Sequence, residues 1–346
     1  MRDGAPLSSR PGVDTVLRGR LGKGKGSKRR MNDVIRIGIV TAWPEDDWHS
    51  KRLVTAFARH GEAAVIDPAE LSAIVSEQGV VSVRAAGLGS EAFDAFVLAR
   101  GMGRTGDADV QFEIYRALED SGAVVVNRID PLLAAQDKFR SSWLLARAGV
   151  PTPPAAVAQT SAGAAEALAG LGEAVMKPIA GSLGEGVQRV RADAPGRASA
   201  RERIARDGAV YLQSYVPHPG RDVRVFVVGG RGRAAMERYA PPGEWRTNVS
   251  TGARVEAVPL GAELAAVAEA AAEAIGLDYA GIDLAVGPEG PTVIEVNGNP
   301  SWQGILEATG LDMAEAIAEH VLGRALRRRG ASDHIVPDWT TGATHG

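Results

Sequence analysis

A proline cluster divides this sequence into two halves that carry different patterns of apolar residues. Pro151, Pro153 and Pro154 form the cluster. Before it, short β-branched runs alternate with helix-like segments, and this alternation predicts a parallel sheet covered by helices. After it, strand-like runs occur in pairs around glycine turns at residues 229–230 and 287–290, which predicts antiparallel hairpins. The sequence therefore predicts an α/β half followed by an α+β half.

The charge of the chain is unevenly distributed. Its 346 residues have a formal charge of −3 at pH 7, yet residues 1–30 hold nine Lys and Arg side chains against two Asp. The remainder holds 30 basic and 40 acidic side chains. Because this body is acidic, we predict no nucleic-acid partner. We interpret residues 1–33 as a flexible arm, with a polyanion-binding tail or a targeting address as the alternatives.

Two further features bear on the location of the protein. The chain contains no cysteine, which excludes disulfide bonds, thiolate metal sites and a cysteine nucleophile and favours a reducing compartment. The most apolar long window, residues 259–281, contains four acidic side chains, and these oppose insertion into a bilayer. We therefore expect a soluble, cytoplasmic protein without a membrane partner.

A glycine-rich motif follows the third strand-like run. Gly101, Gly103 and Gly106 match G-x-G-x-x-G, the dinucleotide-binding pattern of NAD(P)-dependent oxidoreductases. That function also needs an acidic residue at the end of the next strand, where this sequence has Asn127 and Arg128. We therefore interpret the motif as a surface or substrate-facing loop and keep the oxidoreductase as a distant alternative.

Oxygen-bearing side chains lie on both strands of the second predicted hairpin. Asp283 lies on its first strand, and Glu295 and Asn297 share one face of its second strand because they are two residues apart. Glu295 interrupts an apolar run, and a buried carboxylate needs a partner or a metal ion. Carboxylate and amide oxygens suit Mg²⁺, so we predict a metal site here. Three ordinary polar residues near a hairpin are the alternative interpretation.

Cationic and glycine-rich segments in the same half suit a phosphate ligand. Lys177 ends a short strand and precedes the sequence Gly-Ser-Leu-Gly-Glu-Gly at residues 181–186, whose backbone can approach an anion closely. Lys138 opens the helix before the proline cluster and supplies a second cation. Arg224 and Arg246 add charge of the kind that binds carboxylates and phosphates. Taken singly, each of these features also fits a glycine turn or a solvated side chain.

The order of these segments resembles the ATP-grasp superfamily, and within it the RimK-type α-L-glutamate ligases. The resemblance covers residues 35–328. It is carried by the ordered set Lys138, Met-Lys177-Pro, the 181–186 loop, Gln213-Ser-Tyr-Val, Arg221-Asp-Val-Arg-Val-Phe, Trp-Arg246-Thr-Asn, Gly-Ile-Asp283 and Glu295-Val-Asn-Gly-Asn-Pro. Ser214 departs from the family, which often has Glu there, and Glu185 adds an acidic residue to the loop.

This resemblance implies an ATP-grasp fold preceded by a parallel α/β (pre-ATP-grasp) domain. The domains that it implies are the basic arm, an N-terminal α/β domain, a central ATP-grasp subdomain with a glycine-rich lid, a C-terminal ATP-grasp subdomain with the Mg²⁺ site, and a flexible tail. Their limits are residues 1–33, 34–135, 136–216, 217–330 and 331–346.

The resemblance also implies roles for individual residues. ATP would be bound by Lys138, Lys177, Gly181, Ser182, Gly184, Gly186, Gln213, Ser214, Tyr215, Val216 and Asp222. Two Mg²⁺ ions, which Mn²⁺ could replace, would be held by Asp283, Glu295 and Asn297. Arg224 and Arg246 would be catalytic, and Asn248 would join Arg246 in binding the acceptor.

The implied activity is an ADP-forming ligation of a carboxylate with an amine. ATP would phosphorylate the acceptor carboxylate, and the amine of L-glutamate would then attack the acyl phosphate. The acidic body favours a small, pterin-type C1-carrier acceptor, and a protein C-terminus or an amino-group carrier protein is the alternative. A non-catalytic nucleotide-binding module is a further alternative, against which the intact oxygen cluster argues. Assembly into a homo-oligomer is left open.

Overall fold

The computed structural model describes residues 34–100, 102–179, 186–247 and 253–330. A four-stranded parallel sheet forms the first part, in the order β2-β1-β6-β7. Its strands are β1 (Ile35–Thr41), β2 (Gly61–Ile66), β6 (Ala95–Arg100) and β7 (Val124–Val126). The strands of this sheet are rich in buried Ile, Val and Ala, as expected where helices cover a parallel sheet. The parallel sheet predicted for the first half is confirmed.

Three helices and a small antiparallel sheet accompany this parallel sheet. The helices are α1 (Trp48–Phe57), α2 (Ala108–Asp120) and α3 (Ile129–Gln136). The small sheet consists of β3 (Ser72–Val75), β4 (Val81–Ala85) and β5 (Leu88–Gly89). The sequence interpretation missed this small sheet, because its outer strand β3 is exposed throughout and carries no alternation of buried and exposed positions.

A second four-stranded sheet follows α4 (Lys138–Arg147) and the proline cluster. It is antiparallel and has the order β10-β9-β11-β8. Its strands are β8 (Ala155–Ala158), β9 (Glu173–Lys177), β10 (Gln188–Arg191) and β11 (Val210–Ser214). Two helices, α5 (Ser161–Leu171) and α6 (Ala194–Asp207), pack on it around Leu168 and Leu212.

The third large sheet has five antiparallel strands in the order β14-β13-β12-β15-β16. They are β12 (Arg221–Val228), β13 (Arg231–Tyr239), β14 (Arg254–Val258), β15 (Tyr279–Gly287) and β16 (Gly290–Asn297). The helices of this part are α7 (Ala262–Ile275), α8 (Gln303–Thr309) and α9 (Met313–Arg328). Both predicted hairpins, β12-β13 and β15-β16, are present, so the predicted mixed fold is confirmed.

Each of these hairpins contains one irregularity that changes its register. In β12-β13 the register shifts between Phe226 and Val227, and in β15-β16 it shifts between Asp283 and Leu284. A β-bulge of this kind inserts one extra residue into one strand. Every residue beyond the bulge then pairs with a cross-strand partner one position further along. The two bulges therefore decide which side chains meet in the site described below.

The last helix, α9, connects the C-terminal five-stranded sheet to the parallel sheet by packing against both parts of the chain. Helix α9 packs on α1, β6 and β7, and its buried face contains Ile317 and Val321. Beyond it, the Arg329 guanidinium donates to both oxygens of the buried Asp94 carboxylate at 2.6 Å. A single hydrophobic cluster also runs from Phe96 of the parallel sheet to Val225 and Ile282 of the C-terminal sheet. These contacts hold the parallel sheet in a fixed place beside the third sheet.

None of the helices in the described ranges is long and apolar enough to cross a bilayer. The predicted domain limits stay a prediction, as do the roles of the arm and the tail, which lie outside the described residues.

Candidate functional site

A cleft between the second and third sheets collects most of the side chains that the sequence singled out. Its walls come from β9, β11 and the following residues on one side, and from β12, β13, β15 and β16 on the other. The predicted residues that line it are Lys138, Lys177, Gln213, Ser214, Tyr215, Val216, Asp222, Arg246, Asp283 and Glu295. These residues are far apart in sequence, and the fold brings them to one surface.

The bulge in the β15-β16 hairpin places two carboxylates side by side. Counted back from the turn, where Gly287 pairs with Gly290, a regular ladder would set Asp283 opposite Ile294. The bulge sets Asp283 opposite Glu295 instead, and Asn297 opposite Gly281 on the same face two residues on. The predicted grouping of the three oxygen-bearing side chains on one face is therefore present.

A buried ionic network lies behind these carboxylates. Arg224 binds Asp283 through two hydrogen bonds, from Nε to Oδ1 at 2.6 Å and from Nη2 to Oδ2 at 2.7 Å. Arg238 binds both oxygens of Asp222, at 2.8 and 2.6 Å, and its Nη2 lies 3.0 Å from Oδ2 of Asp283. The hydroxyl of Thr247 donates to Asp222 at 2.6 Å. Arg238, Asp222 and Asp283 are each at most 3% exposed, so the network is shielded from solvent.

The network keeps the Asp283 carboxylate ionised. Burial raises the pKa of Asp283, but Arg224 and Arg238 outweigh it and lower that pKa to about 2. Burial lowers the pKa of Arg238, and the neighbouring Asp283 and Asp222 reverse this effect and raise it. Asp283 and Arg238 are therefore both charged near neutral pH, in an arrangement that removes the cost of isolated buried charges.

Two lysines face the carboxylates across the cleft. Lys177 donates from Nζ to Oε1 of Gln213 at 2.8 Å and to the carbonyl oxygen of Ile294 at 3.3 Å. Ile294 is the bulged residue, and its carbonyl is therefore available to a side chain. Lys138 lies at the first position of α4, which Asp137 caps, and its Nζ lies 3.8 Å from Oε1 of Glu295. Burial and, to a smaller extent, Lys138 lower the pKa of Lys177, while Glu295 opposes them.

Among the residues that the structure describes, the side chains in and beside the cleft carry a small positive net charge. The four cations are Lys138, Lys177, Arg224 and Arg238, and the three carboxylates are Asp222, Asp283 and Glu295. Arg246 brings its own partner, since its Nη2 donates to Oε2 of Glu244 at 2.6 Å. A cleft with an excess of cationic side chains suits a polyanion such as a nucleoside triphosphate.

Several of the predicted site residues do not line the cleft or lie outside the described residues. Arg224 does not line the cleft and reaches it through Asp283. Gly186 has a φ of +67°, and its carbonyl accepts a hydrogen bond from Arg203. Gly181, Ser182, Gly184 and Asn248 lie outside the described residues, as does Gly101.

The loop after Gly101 is hydrogen-bonded to side chains of neighbouring elements. The amide of Gly103 donates to Oε1 of the buried Gln111 at 2.8 Å, and the hydroxyl of Thr105 donates to Oδ1 of Asp67 at 2.6 Å. An amide used in this way is not available to a pyrophosphate. This geometry supports the interpretation of the motif as a loop and gives no support to a dinucleotide site.

The oxygen donors of β15 and β16 fit a magnesium ion. Nδ2 of Asn297 donates to the carbonyl of Gly281 at 3.4 Å, which leaves its amide oxygen as an acceptor. The Glu295 carboxylate is 28% exposed at the cleft, and Oδ1 of Asp283 keeps a lone pair beside its hydrogen bond from Arg224. No group of three His, Cys, Asp or Glu side chains in the described ranges is placed to hold a metal by itself. Mg²⁺ is bound in this manner, by one or two carboxylates with phosphate oxygens and water.

The sequence interpretation missed Arg238, Thr247, Trp245 and His218, all of which line the cleft. Arg238 follows closely on the apolar run Ala234–Met236 of β13, and this position is the signal that the sequence offered. The register hid it, because the turn alone would set Glu237 opposite Asp222 and only the bulge brings Arg238 there.

The fold and the cleft together define an ATP-grasp ligase. Residues 135–321 match the RimK-like ATP-grasp domain, and the chain belongs to this family. It is 33% identical over 319 residues to the tetrahydromethanopterin:alpha-L-glutamate ligase of Methanosarcina acetivorans, which covers 83% of this chain and 98% of that protein. It is 31% identical over 301 residues to the probable alpha-L-glutamate ligase of Aeromonas salmonicida, and this match covers 85% of this chain and 98% of that protein.

Solved structures share the fold. The ATP-grasp ligase PsnB, complexed with a minimal precursor, Mg and ADP, superposes with a TM-score of 0.66 at 21% identity, over 86% of this chain and all of that one. The RimK domain protein from Sphaerobacter thermophilus superposes with a TM-score of 0.60 at 23% identity, over 83% and 100% of the two chains.

Proposed function

We propose that this enzyme joins L-glutamate to a carboxylate of a pterin-type C1-carrier cofactor and converts ATP to ADP and phosphate. The observation that carries the proposal is the bulged hairpin, which sets Asp283 and Glu295 side by side opposite Lys138 and Lys177, with Asn297 on the same face of the hairpin. This arrangement supplies both the oxygens that a metal–nucleotide complex needs and the cations that its phosphates need.

The first step would activate the acceptor. A carboxylate does not condense with an amine near pH 7, because hydroxide is a poor leaving group, and transfer of the γ-phosphoryl of ATP to it creates an acyl phosphate. Lys138 and Lys177 would bind the phosphates, while residues 213–216 and Asp222 would line the nucleotide pocket. Mg²⁺, held by Asp283, Glu295 and Asn297, would offset the charge on the transferred group when bound.

The second step would form the amide. The glutamate amine attacks the acyl carbon, and phosphate leaves from the tetrahedral intermediate. Arg246, on the wall of the cleft, would stabilise the oxyanion of that intermediate. Arg224 would act through Asp283, whose two oxygens it orients, and we assign it a positioning role.

The choice of acceptor rests on two observations. Relatives from Methanosarcina acetivorans and Methanococcus maripaludis, 33% and 30% identical to this chain, are named tetrahydromethanopterin:alpha-L-glutamate ligases. The acidic charge of the chain beyond residue 30 offers no broad basic surface for an acidic carrier protein. A small acceptor therefore fits better than a protein C-terminus.

The test is a mass-spectrometric assay with Mg²⁺, ATP and L-glutamate. The acceptors are tetrahydromethanopterin, a deazaflavin cofactor and a peptide with the C-terminal sequence of a ribosomal protein. We expect a glutamyl adduct on tetrahydromethanopterin, and none with Glu295→Gln, which keeps the size of the side chain but removes its charge. An adduct on the peptide alone would establish a protein acceptor, and the absence of adducts from every reaction would refute the proposal.

A further inference from the structure

A second polar cluster lies at the carboxyl ends of β1 and β6. His49, at the start of α1, is 5% exposed, and its Nδ1 lies 3.1 Å from Oδ1 of Asp47. Its Nε2 lies 3.1 Å from the hydroxyl oxygen of Ser301 and 3.4 Å from Nη2 of Arg100. Asp47, His49 and Ser301 thus form a hydrogen-bonded chain from the N-terminal sheet to the segment that follows β16.

The imidazole of His49 is held in one orientation. The rings of Trp48 and Trp302 contact it edge to face, with centroids 4.9 and 4.6 Å away. Asp47 is fixed as well, because it caps α1 by accepting from the amides of His49 and Ser50. A ring so confined keeps Nδ1 on the carboxylate and directs Nε2 at Ser301 and Arg100.

Burial keeps the His49 imidazole neutral near pH 7. Burial lowers its pKa, and Arg100 lowers it further, while Asp47 and Asp312 act in the opposite direction. Hydrogen bonds from His49 and Ser50 hold the pKa of Asp47 low against the effect of burial, so that this carboxylate is ionised. Nδ1 then carries the proton that Asp47 accepts, and Nε2 is a lone-pair acceptor.

Arg100 ends β6 beside this acceptor. Among the residues that the structure describes, no carboxylate lies within salt-bridge distance of its guanidinium, and the side-chain contact that it makes is the one to His49. A partly buried guanidinium that faces a neutral imidazole has donors left for an anion.

The cluster adjoins the cleft through the residues that follow Asn297. When the Asn299 side-chain amide is oriented as a donor, its nitrogen lies 3.0 Å from the carbonyl oxygen of Leu98. Leu98 lies two residues before Arg100. A Cβ at Gly281 would lie 2.8 Å from Pro300 and 3.7 Å from the Arg224 side chain, so Pro300 packs beside the Arg224–Asp283 pair. Ser301 is the next residue.

We propose that Arg100, His49 and Ser301 form the subsite for the incoming amino acid, where Arg100 binds a carboxylate and the Ser301–His49 pair accepts a proton from its ammonium group. The inference rests on the proposed ligase function and names the part of the site that receives glutamate. An amino acid needs a cation for its carboxylate, and its ammonium group must lose a proton before its nitrogen can attack.

The proton transfer is balanced within these groups. Before attack, one proton of the glutamate ammonium group passes to Oγ of Ser301 as the hydroxyl proton of Ser301 passes to Nε2 of His49. After the freed amine nitrogen has bonded to the acyl carbon, it loses a second proton to the departing phosphate. Asp47 stabilises the imidazolium that results. The electron pair of the broken carbon–oxygen bond leaves with phosphate, and the imidazolium later loses its proton to solvent.

Hydroxylamine separates this role from a structural one. It attacks acyl phosphates to give hydroxamates, carries no carboxylate, and is largely unprotonated at pH 7, so it needs neither Arg100 nor His49. With tetrahydromethanopterin and Mg²⁺-ATP, we expect His49→Gln to lower kcat with glutamate about 100-fold or more, with hydroxamate formation within twofold of wild type. Arg100→Gln should raise KM for glutamate about 10- to 100-fold with the KM of the acceptor unchanged.

The controls decide each outcome. His320→Gln alters another His–Asp pair, in which Nε2 of His320 lies 2.7 Å from Oδ1 of Asp278, and should change neither reaction. Should His49→Gln not fold, Ser301→Ala, at a less buried position, must show the same selective loss with glutamate. Equal losses with glutamate and hydroxylamine, or a rise in the acceptor KM alone, would overturn the proposal. A wild-type enzyme that makes hydroxamate but no glutamyl product would refute the glutamate function itself.

Discussion

At the scale of single residues, Arg238 is the central cation of the buried charge network. It is 3% exposed and serves two carboxylates, Asp222 and Asp283, of which the second is a proposed metal ligand. We expect Arg238→Leu to lower the free energy of unfolding by about 3–5 kcal/mol, because it leaves buried carboxylates without a partner. Urea unfolding at pH 7 measures this change.

Arg231→Leu is the matched control, since Arg231 lies on the same strand but is exposed. It should change the free energy of unfolding by no more than about 0.5 kcal/mol. Equal effects of the two substitutions would show that the network contributes no stability.

Substitution of Lys177 gives the simplest test of nucleotide binding. Its ammonium group is held by Gln213 and by the carbonyl of Ile294, at the place where phosphates are proposed to bind. Lys177→Met should weaken the binding of Mg²⁺-ATP about 10- to 100-fold, the usual loss for a hydrogen bond to a charged group. Isothermal titration calorimetry gives the Kd, and Lys51→Met, on the exposed side of α1, should leave it unchanged.

The residue types of the site were predictable, because carboxylates that interrupt apolar runs and lysines at strand ends are visible in a sequence. The predicted residues Asp283, Glu295, Lys138 and Lys177 do meet in one cleft. Arg238 was not predicted, because arginine on a strand is ordinarily solvated and its burial is visible only once Asp222 is known to face it.

At the scale of elements, the hairpin registers explain why the geometry of the site was harder to predict. Turn residues locate a hairpin and fix its register near the turn. A bulge depends on packing against neighbouring strands, and no residue pattern in β13 or β16 marked one. From the turns alone, Glu237 and Ile294 would occupy the positions of Arg238 and Glu295.

The anchoring of α9 gives a prediction about pH. Asp278 accepts from His320 and Arg324 of α9, at 2.7 and 2.6 Å. Burial raises its pKa, but these two partners outweigh burial and the net pKa is lowered. Since the folded pKa lies below the unfolded one, the stabilisation is complete above about pH 4 and is lost as the pH falls below it.

Asp278→Asn should therefore lower the free energy of unfolding at pH 7 and flatten its dependence on pH below about pH 4. The measurement is a series of urea unfolding curves between pH 7 and pH 3 for both proteins. Parallel curves, with a constant difference at all pH values, would contradict this account of the ion pair.

At the scale of the whole molecule, Asn127 ties the parallel sheet to the C-terminal one. Its fully buried side chain donates to the carbonyls of Tyr279 and Gly298 at 2.8 Å, and accepts from the amides of Asp278 and Tyr279 at 2.6 and 3.0 Å. Asn127→Ala should destabilise the protein by at least about 3 kcal/mol, because several buried backbone groups lose their partner.

The core continues from one sheet to the other, and so we expect Asn127→Ala to shift a single unfolding transition and not to split it. Far-ultraviolet circular dichroism and tryptophan fluorescence should give the same midpoint. Gln188→Ala, at an exposed position of β10, is the control. Two separate midpoints in the Asn127 variant would show that the sheets unfold independently.

The central claim is that one cleft couples ATP cleavage to ligation, and the most direct measurement is the ADP formed per glutamyl product. With Mg²⁺, ATP, L-glutamate and tetrahydromethanopterin, wild type should release one ADP for each adduct and form neither at an appreciable rate when either substrate is omitted. Glu295→Gln should lose both together. ADP release that is independent of glutamate and acceptor, or ligation that survives in Glu295→Gln, would contradict the account.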